Sequence, residues 1–84
     1  MSFILYSKQQ CPQCEIAERF LKSNQASYTV IKLGEDLDVD EFKAMFSAKG
    51  LPVPRSVPVI YAKEGGIFMY GVKDLMAFFA EKGK

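Results

Sequence analysis

The apolar residues of this chain change period several times, and each change marks an element. Residues 2–6, within SFILYS, form a compact apolar run rich in strand formers and are expected as a buried first strand. From Pro12 the spacing becomes helical: Ile16, Ala17, Phe20 and Leu21 share one face, while Glu15, Glu18, Arg19 and Lys22 fall elsewhere, and the helix should end near Asn24. SYTVIKL is a second strand, so strand, helix and strand make a βαβ unit, right-handed when its strands are parallel. EDLDVDEFKAMFSAKG reads as a second helix, with Asp38 and Glu41 at capping-box spacing, Val39, Phe42, Met45 and Phe46 facing inward, and Gly50 as its stop. LPVPRS is loop. VPVIYA and GIFMY are strands around KEGG, whose glycines permit the positive backbone angles of a tight hairpin turn. Val72, Leu75, Met76 and Phe79 recur at i, i+3, i+4 and i+7, giving a last helix that ends near Gly83. The order is β-α-β-α-β-β-α, with no repeat, low-complexity segment or interdomain linker.

Length and composition narrow this pattern to one domain spanning residues 1–84. At 84 residues a single hydrophobic core is only just sufficient without a metal, a disulfide or a partner. Hydrophobic residues at 49% and charged residues at 25% form a globular balance that argues against disorder. A net charge of +1 offers no general attraction for nucleic acid or an anionic membrane, so any anion recognition has to be local. The N-terminal apolar run is too short for a signal-peptide core and nothing later approaches a transmembrane length, so a cytoplasmic protein is expected.

The chemistry concentrates in YSKQQCPQC, which holds the only two cysteines, Cys11 and Cys14. A helix starting at Pro12, where the fixed φ and missing N–H suit the first helical position, puts Cys11 at the N-cap and Cys14 in the first turn. The free N–H groups and positive dipole end there stabilise a thiolate at Cys11, lowering its pKa and making it the nucleophile. Cys14, further into the helix and more buried, is placed to resolve the mixed disulfide that Cys11 forms. A structural staple is the weaker reading, because a bridge across so short a loop removes little entropy from the unfolded chain. A tetrahedral zinc site wants four ligands and the chain has two cysteines and no histidine, so a metal or cluster would have to be shared between two protomers; no metal site is expected within one. The absence of histidine also removes Cys–His protease chemistry.

A CxxC pair after the first strand of a βαβ unit, with SVP before the third strand, resembles the thioredoxin superfamily, and the short chain is similar to glutaredoxins over nearly its whole length. YSKQQCPQC is close to that family's tyrosine-serine-lysine lead and Cys-Pro-aromatic-Cys site, RSVP to its Thr-Val-Pro, and YGVKDL to its Gly-Gly-x-Asp-Asp-Leu. The resemblance implies a thioredoxin-like α/β fold, with a four-stranded mixed sheet of order 2-1-3-4 flanked by helices, and a dithiol–disulfide oxidoreductase with glutathione as reducing co-substrate and no bound cofactor. It implies that Pro58 is cis opposite the cysteines and that the Val57 backbone pairs with the bound disulfide's own backbone, much as an added strand pairs with a sheet edge. Lys8 resembles the lysine that meets the glycine carboxylate of glutathione, and Arg55 could add a second cation. Gly71, Val72 and the start of the last helix would receive the γ-glutamyl carboxylate, with Asp74 facing its ammonium group. Gln13 and Lys73 complete the implied groove.

Two departures keep other readings open. Gln13 stands where glutaredoxins usually have tyrosine, and Tyr70-Gly71 with Lys73 replaces the double glycine and the first acid. Both are similar to glutaredoxin-like redoxins that are reduced by thioredoxin reductase. A third alternative is a glutathione-ligated iron–sulfur carrier, whose usual single-cysteine Cys-Gly-Phe-Ser site differs from CPQC. The partners implied are glutathione and disulfide-containing proteins, ribonucleotide reductase among them, acting on a monomer.

Overall fold

In a computed structural model that describes residues 2–82, the elements are β1 (Ser2–Ser7), α1 (Pro12–Ser23), β2 (Ser27–Lys32), α2 (Val39–Ala48), β3 (Val59–Ala62), β4 (Ile67–Tyr70) and α3 (Val72–Lys82). The four strands form one sheet of order β2-β1-β3-β4. β1 and β2 run parallel from Ser2↔Ser27 to Ser7↔Lys32. β3 lies antiparallel to β1, pairing Phe3 with Ala62 and Tyr6 with Val59, and the hairpin to β4 pairs Val59 with Tyr70. The expected order of elements, mixed sheet and strand order are all present.

Strand alternation divides the core between the two faces of the sheet. Phe3 and Leu5 of β1, Ile60 and Ala62 of β3 and Met69 of β4 pack with Ala17 and Leu21 of α1 and Leu75 of α3. On the opposite face Tyr6 and Val59 pack with Phe42 and Phe46 of α2, and Ile4, Tyr61, Phe68 and Tyr70 border them. Two helical layers therefore enclose the sheet, with aromatic rings filling much of the α2 side: Phe46 lies 5.1 Å from Phe42, 4.7 Å from Phe68 and 5.8 Å from Tyr70 between ring centroids.

Helix ends are chemically explicit. The Asp38 carboxylate accepts from the N–H groups of Asp40 and Glu41, which satisfies two otherwise unpaired donors at the start of α2. The helix closes in a Schellman motif, in which Gly50 at φ +70 donates to Ser47 and Leu51 donates to Phe46. α1 closes the same way, with Ala26 donating to Leu21 and Gln25 to Lys22, but the left-handed position is taken by Gln25 at φ +57.

The structure corrects several expectations. α2 starts at Val39 rather than at 35, because residues 33–38 form a turn held by Gly34 N–H on the Leu37 carbonyl and closed by the Leu33↔Leu37 bridge. Val39 does not face inward: it is 41% exposed, and Ile16 and Met76 are likewise open at 39% and 43%. All three lie outside the fully buried stripes of their helices, which are Ala17 and Leu21 in α1, Phe42 and Phe46 in α2, and Leu75 in α3. β3 begins at Val59, since Pro58 lacks the N–H a ladder needs. In the KEGG turn only Gly66 adopts a positive φ. The expected end of the last helix near Gly83 lies outside the described residues.

Candidate functional site

The site grows from the C-terminal end of β1. After Ser7 the chain turns through Lys8, Gln9 and Gln10, and Gln10 takes a left-handed φ of +53 that swings the backbone into the start of α1. The Gln9 side-chain amide ties this loop to the Glu35 carboxylate at 2.6 Å. Cys11 is the N-cap, in extended backbone, and Pro12 occupies the first helical turn. Its sulfur does what a capping oxygen usually does: the Cys14 N–H points at Cys11 Sγ over 3.2 Å. A sulfur facing a helix N-terminal N–H is favoured as an anion.

The two cysteines are joined as a disulfide across 5.2 Å between Cα atoms. Both are largely buried, Cys11 at 8% exposure and Cys14 at 5%. Cys11 Sγ faces the Val57 carbonyl oxygen at 4.0 Å, and the Val57–Pro58 peptide is cis. The backbone before β3 thus lies beside the disulfide.

Two hollows meet along residues 54–57. One is lined by Gln13, Arg55, Val57, Pro58, Tyr70, Gly71 and Val72. The other is lined by Lys8, Arg55 and Val57 with Leu33, Val39, Phe42 and Lys43 of the α2 side. Gly71 precedes α3 at φ +100, an angle that favours glycine; a Cβ there would meet nothing, so backbone conformation and not space demands it. A third hollow, beside Cys14, is lined by Lys8, Glu15, Glu18 and Lys32.

Of the residues expected in the groove, the structure brings together Gln13, Arg55, Val57, Pro58, Gly71 and Val72, with Lys8 in the adjoining hollow. Lys73 and Asp74 line neither. The Asp74 carboxylate accepts from the Tyr70 N–H at 3.0 Å and borders a hollow on the flank of β4 and α3. Lys73 is exposed. Sequence reasoning missed Tyr70, whose side chain lines the groove and whose hydroxyl donates to the Pro52 carbonyl at 2.8 Å, bracing the proline-rich loop. Its position beside Gly71 was the available signal. Burial pushes the phenols of Tyr70 and Tyr6 above the ordinary range, with Tyr61 adding to the effect at Tyr6.

A cysteine pair at a helix start, facing a cis-proline in a four-stranded mixed sheet, defines a thioredoxin-like thiol–disulfide exchange site. The glutaredoxin family model matches residues 3–67, and the chain belongs to that family. It is a thiol–disulfide oxidoreductase. Among solved structures it is similar to buckwheat glutaredoxin in complex with glutathione, at 23% identity and TM-score 0.73 over 95% of this chain and 69% of that one. Wheat glutaredoxin matches at 24% identity and TM-score 0.72 over 94% and 69% of the two chains. Glutaredoxin 1 from Francisella tularensis, complexed with cacodylate, matches at 19% and 0.71 over 95% and 93%. No curated protein sequence matches the chain significantly.

Proposed function

We propose that this protein is a glutathione-dependent dithiol–disulfide oxidoreductase that reduces protein disulfides and glutathione mixed disulfides. The Cys11 thiolate attacks one sulfur of the substrate disulfide, forms a mixed disulfide and expels the other sulfur as a thiolate, which takes a proton from solvent. The Cys14 thiolate then attacks Cys11 Sγ, releases the second substrate thiolate and leaves the Cys11–Cys14 bridge; two electrons have passed from the dithiol to the substrate. Two molecules of glutathione restore the dithiol and leave as glutathione disulfide. The observation that carries this reading is the placement of Cys11 Sγ between the Cys14 N–H and the Val57 carbonyl, with Val57 and Arg55 shared by the two adjoining hollows and Lys8 lining one of them. Lys8 and Arg55 suit the glycine carboxylate, the Val57 backbone suits the cysteine, and Gly71 with Val72 at the start of α3 suits the γ-glutamyl end. This is also consistent with the buckwheat glutaredoxin structure, which contains glutathione.

A second reading, reduction by thioredoxin reductase, is favoured by one observation: Asp74 is engaged with Tyr70 and lies outside the groove, so the γ-glutamyl ammonium group has no carboxylate there. The test is NADPH-coupled reduction of a small disulfide, run once with glutathione and glutathione reductase and once with thioredoxin reductase alone. Turnover only with glutathione is expected. Turnover only with thioredoxin reductase would retain the dithiol steps and overturn the assignment of the groove.

A further inference from the structure

The second hollow runs from Lys8, Arg55 and Val57 to Leu33, Val39, Phe42 and Lys43. Glutathione places one residue after its cysteine, whereas the chain of a protein substrate continues, and beyond Lys8 and Arg55 the surface is neither flat nor neutral. Its floor is apolar, made by Leu33, Val39, Phe42 and Pro54, and Lys43 of α2 stands on the rim. No acidic residue lines it, although the chain as a whole is nearly neutral. The hollow on the other side of the cysteines has Glu15 and Glu18 in its wall. Among the described residues, none of Lys8, Lys43 and Arg55 is held in an ion pair, whereas Lys22 is paired with Glu18. Val39, an apolar residue at a position expected to face the core, is instead 41% exposed and lines this hollow.

We propose that this hollow docks the segment of a protein client that follows its reacting cysteine, and that it selects an apolar side chain followed by carboxylates. The proposal rests on the glutathione reading for its direction: the Val57 backbone holds the client's cysteine, so the next residues run past Arg55 toward α2. A client chain in extended form advances about 3.3 Å per residue along the hollow, from Val57 and Arg55 toward Lys43. The apolar lining takes the side chain between, and Lys43 and Arg55, with Lys8 at the boundary to the hollow that holds Glu15 and Glu18, supply the charge complementarity.

The test uses symmetric disulfides of an acetylated Cys-Gly-Leu-Asp-Asp amide, of the same peptide ending in Lys-Lys, and of one with Gly-Ser-Ser after the cysteine and glycine. Protein reduced beforehand and held in excess converts each peptide disulfide to two peptide thiols while Cys11 and Cys14 become the disulfide, and the thiol released is measured after acid quenching. Each rate is divided by that of the same peptide with dithiothreitol, which removes the effect of peptide charge on its own sulfur. The acidic peptide is expected to react about tenfold faster than the basic one, with the ratio shrinking as salt rises. Lys43→Glu is expected to remove the preference, Lys43→Gln to reduce it, and Val39→Ser to slow the leucine peptide toward the Gly-Ser-Ser rate, while all three reduce glutathione disulfide as the unaltered protein does. A preference below twofold, or one that survives Lys43→Glu, overturns the proposal; if Lys43→Glu does not fold, Lys43→Gln decides. Failure of the glutathione reading would show separately, as glutathione disulfide reduction indifferent to Lys8→Glu, with the peptide ratios still measurable.

Discussion

A sulfur atom caps the first helix where an oxygen usually would, and the two cysteines consequently differ in what they meet. Cys11 Sγ faces the Cys14 N–H and the Val57 carbonyl, whereas Cys14 lies one turn inside. Cys11→Ser is expected to abolish all disulfide exchange, while Cys14→Ser keeps removal of glutathione from mixed disulfides through the one-thiol route and loses reduction of protein disulfides. Equal loss of the glutathione reaction in both variants would contradict these roles. Away from the site, the Tyr28 hydroxyl donates to Glu18 at 2.8 Å. Loss of solvation, that hydrogen bond and the Glu18 charge together push the Tyr28 phenol up to about 12. Since its pKa is raised on folding, the stability it contributes is complete below about 10 and is lost as the pH rises through about 12. An ultraviolet titration of the protein against Tyr28→Phe should isolate this late phenol, and Glu18→Gln should bring it lower; a Tyr28 that ionises near 10 in the intact protein would refute the coupling. The cysteines were legible in the sequence because a helix start needs only local signals. The Tyr28–Glu18 bond was not, because β2 and α1 meet only after the chain has turned back.

At the scale of elements, the ends of α1 and α2 form an internal comparison. Both close in the same hydrogen-bond pattern, yet one places Gly50 and the other Gln25 in left-handed backbone. A side chain in that region costs roughly 1–2 kcal/mol, offset in part by the larger entropy a glycine loses on folding. Gln25→Gly is therefore expected to stabilise the protein by about 0.5 kcal/mol and Gly50→Ala to destabilise it by about 1 kcal/mol. No atom lies within 4 Å of a Cβ at Gly50, so the cost there is conformational and not steric. Urea midpoints at unchanged slope would measure both shifts; a destabilised Gln25→Gly would mean that its side chain makes a contact worth more than the backbone cost. Gly50 was legible as a stop because glycine is the usual residue in that conformation. The end of α1 near Asn24 was legible too, but the left-handed conformation of Gln25 was not, because nothing in that residue type signals it.

Across the whole molecule, the α2-side core and the groove are one mechanical unit. Phe46 is fully buried and packs on Tyr70, whose hydroxyl holds the loop at Pro52, which leads into the cis Val57–Pro58 bond opposite Cys11. Phe46→Ala should cost about 3–5 kcal/mol. Total stability for a chain this long is on the order of 4–13 kcal/mol, so that one substitution removes a large share of it and should lower the thermal midpoint sharply. Tyr70→Phe is gentler: it deletes the hydroxyl, costs about 1 kcal/mol and leaves the ring packing intact. Amide hydrogen exchange should then speed up in the loop of residues 51–57 without speeding up in β1 and β3. Uniform acceleration through the sheet would mean that the bond supports global stability and not the loop.

The periodicity of its apolar residues, its capping residues and the CxxC spacing determined the elements of this protein, their order and the place of the cysteines, because each depends on neighbours within a few positions. The family resemblance carried the strand order further than local signals could. Only the tertiary structure decided which margins of the apolar stripes are covered, leaving Val39, Ile16 and Met76 open, since coverage depends on how a twisted sheet meets each helix. It also decided which groups converge: Tyr70 and Arg55 line the groove with Gln13, while Asp74 turns to the Tyr70 backbone and Lys43 joins the rim of the second hollow. Those meetings join residues tens of positions apart, and no local pattern encodes the distance between them.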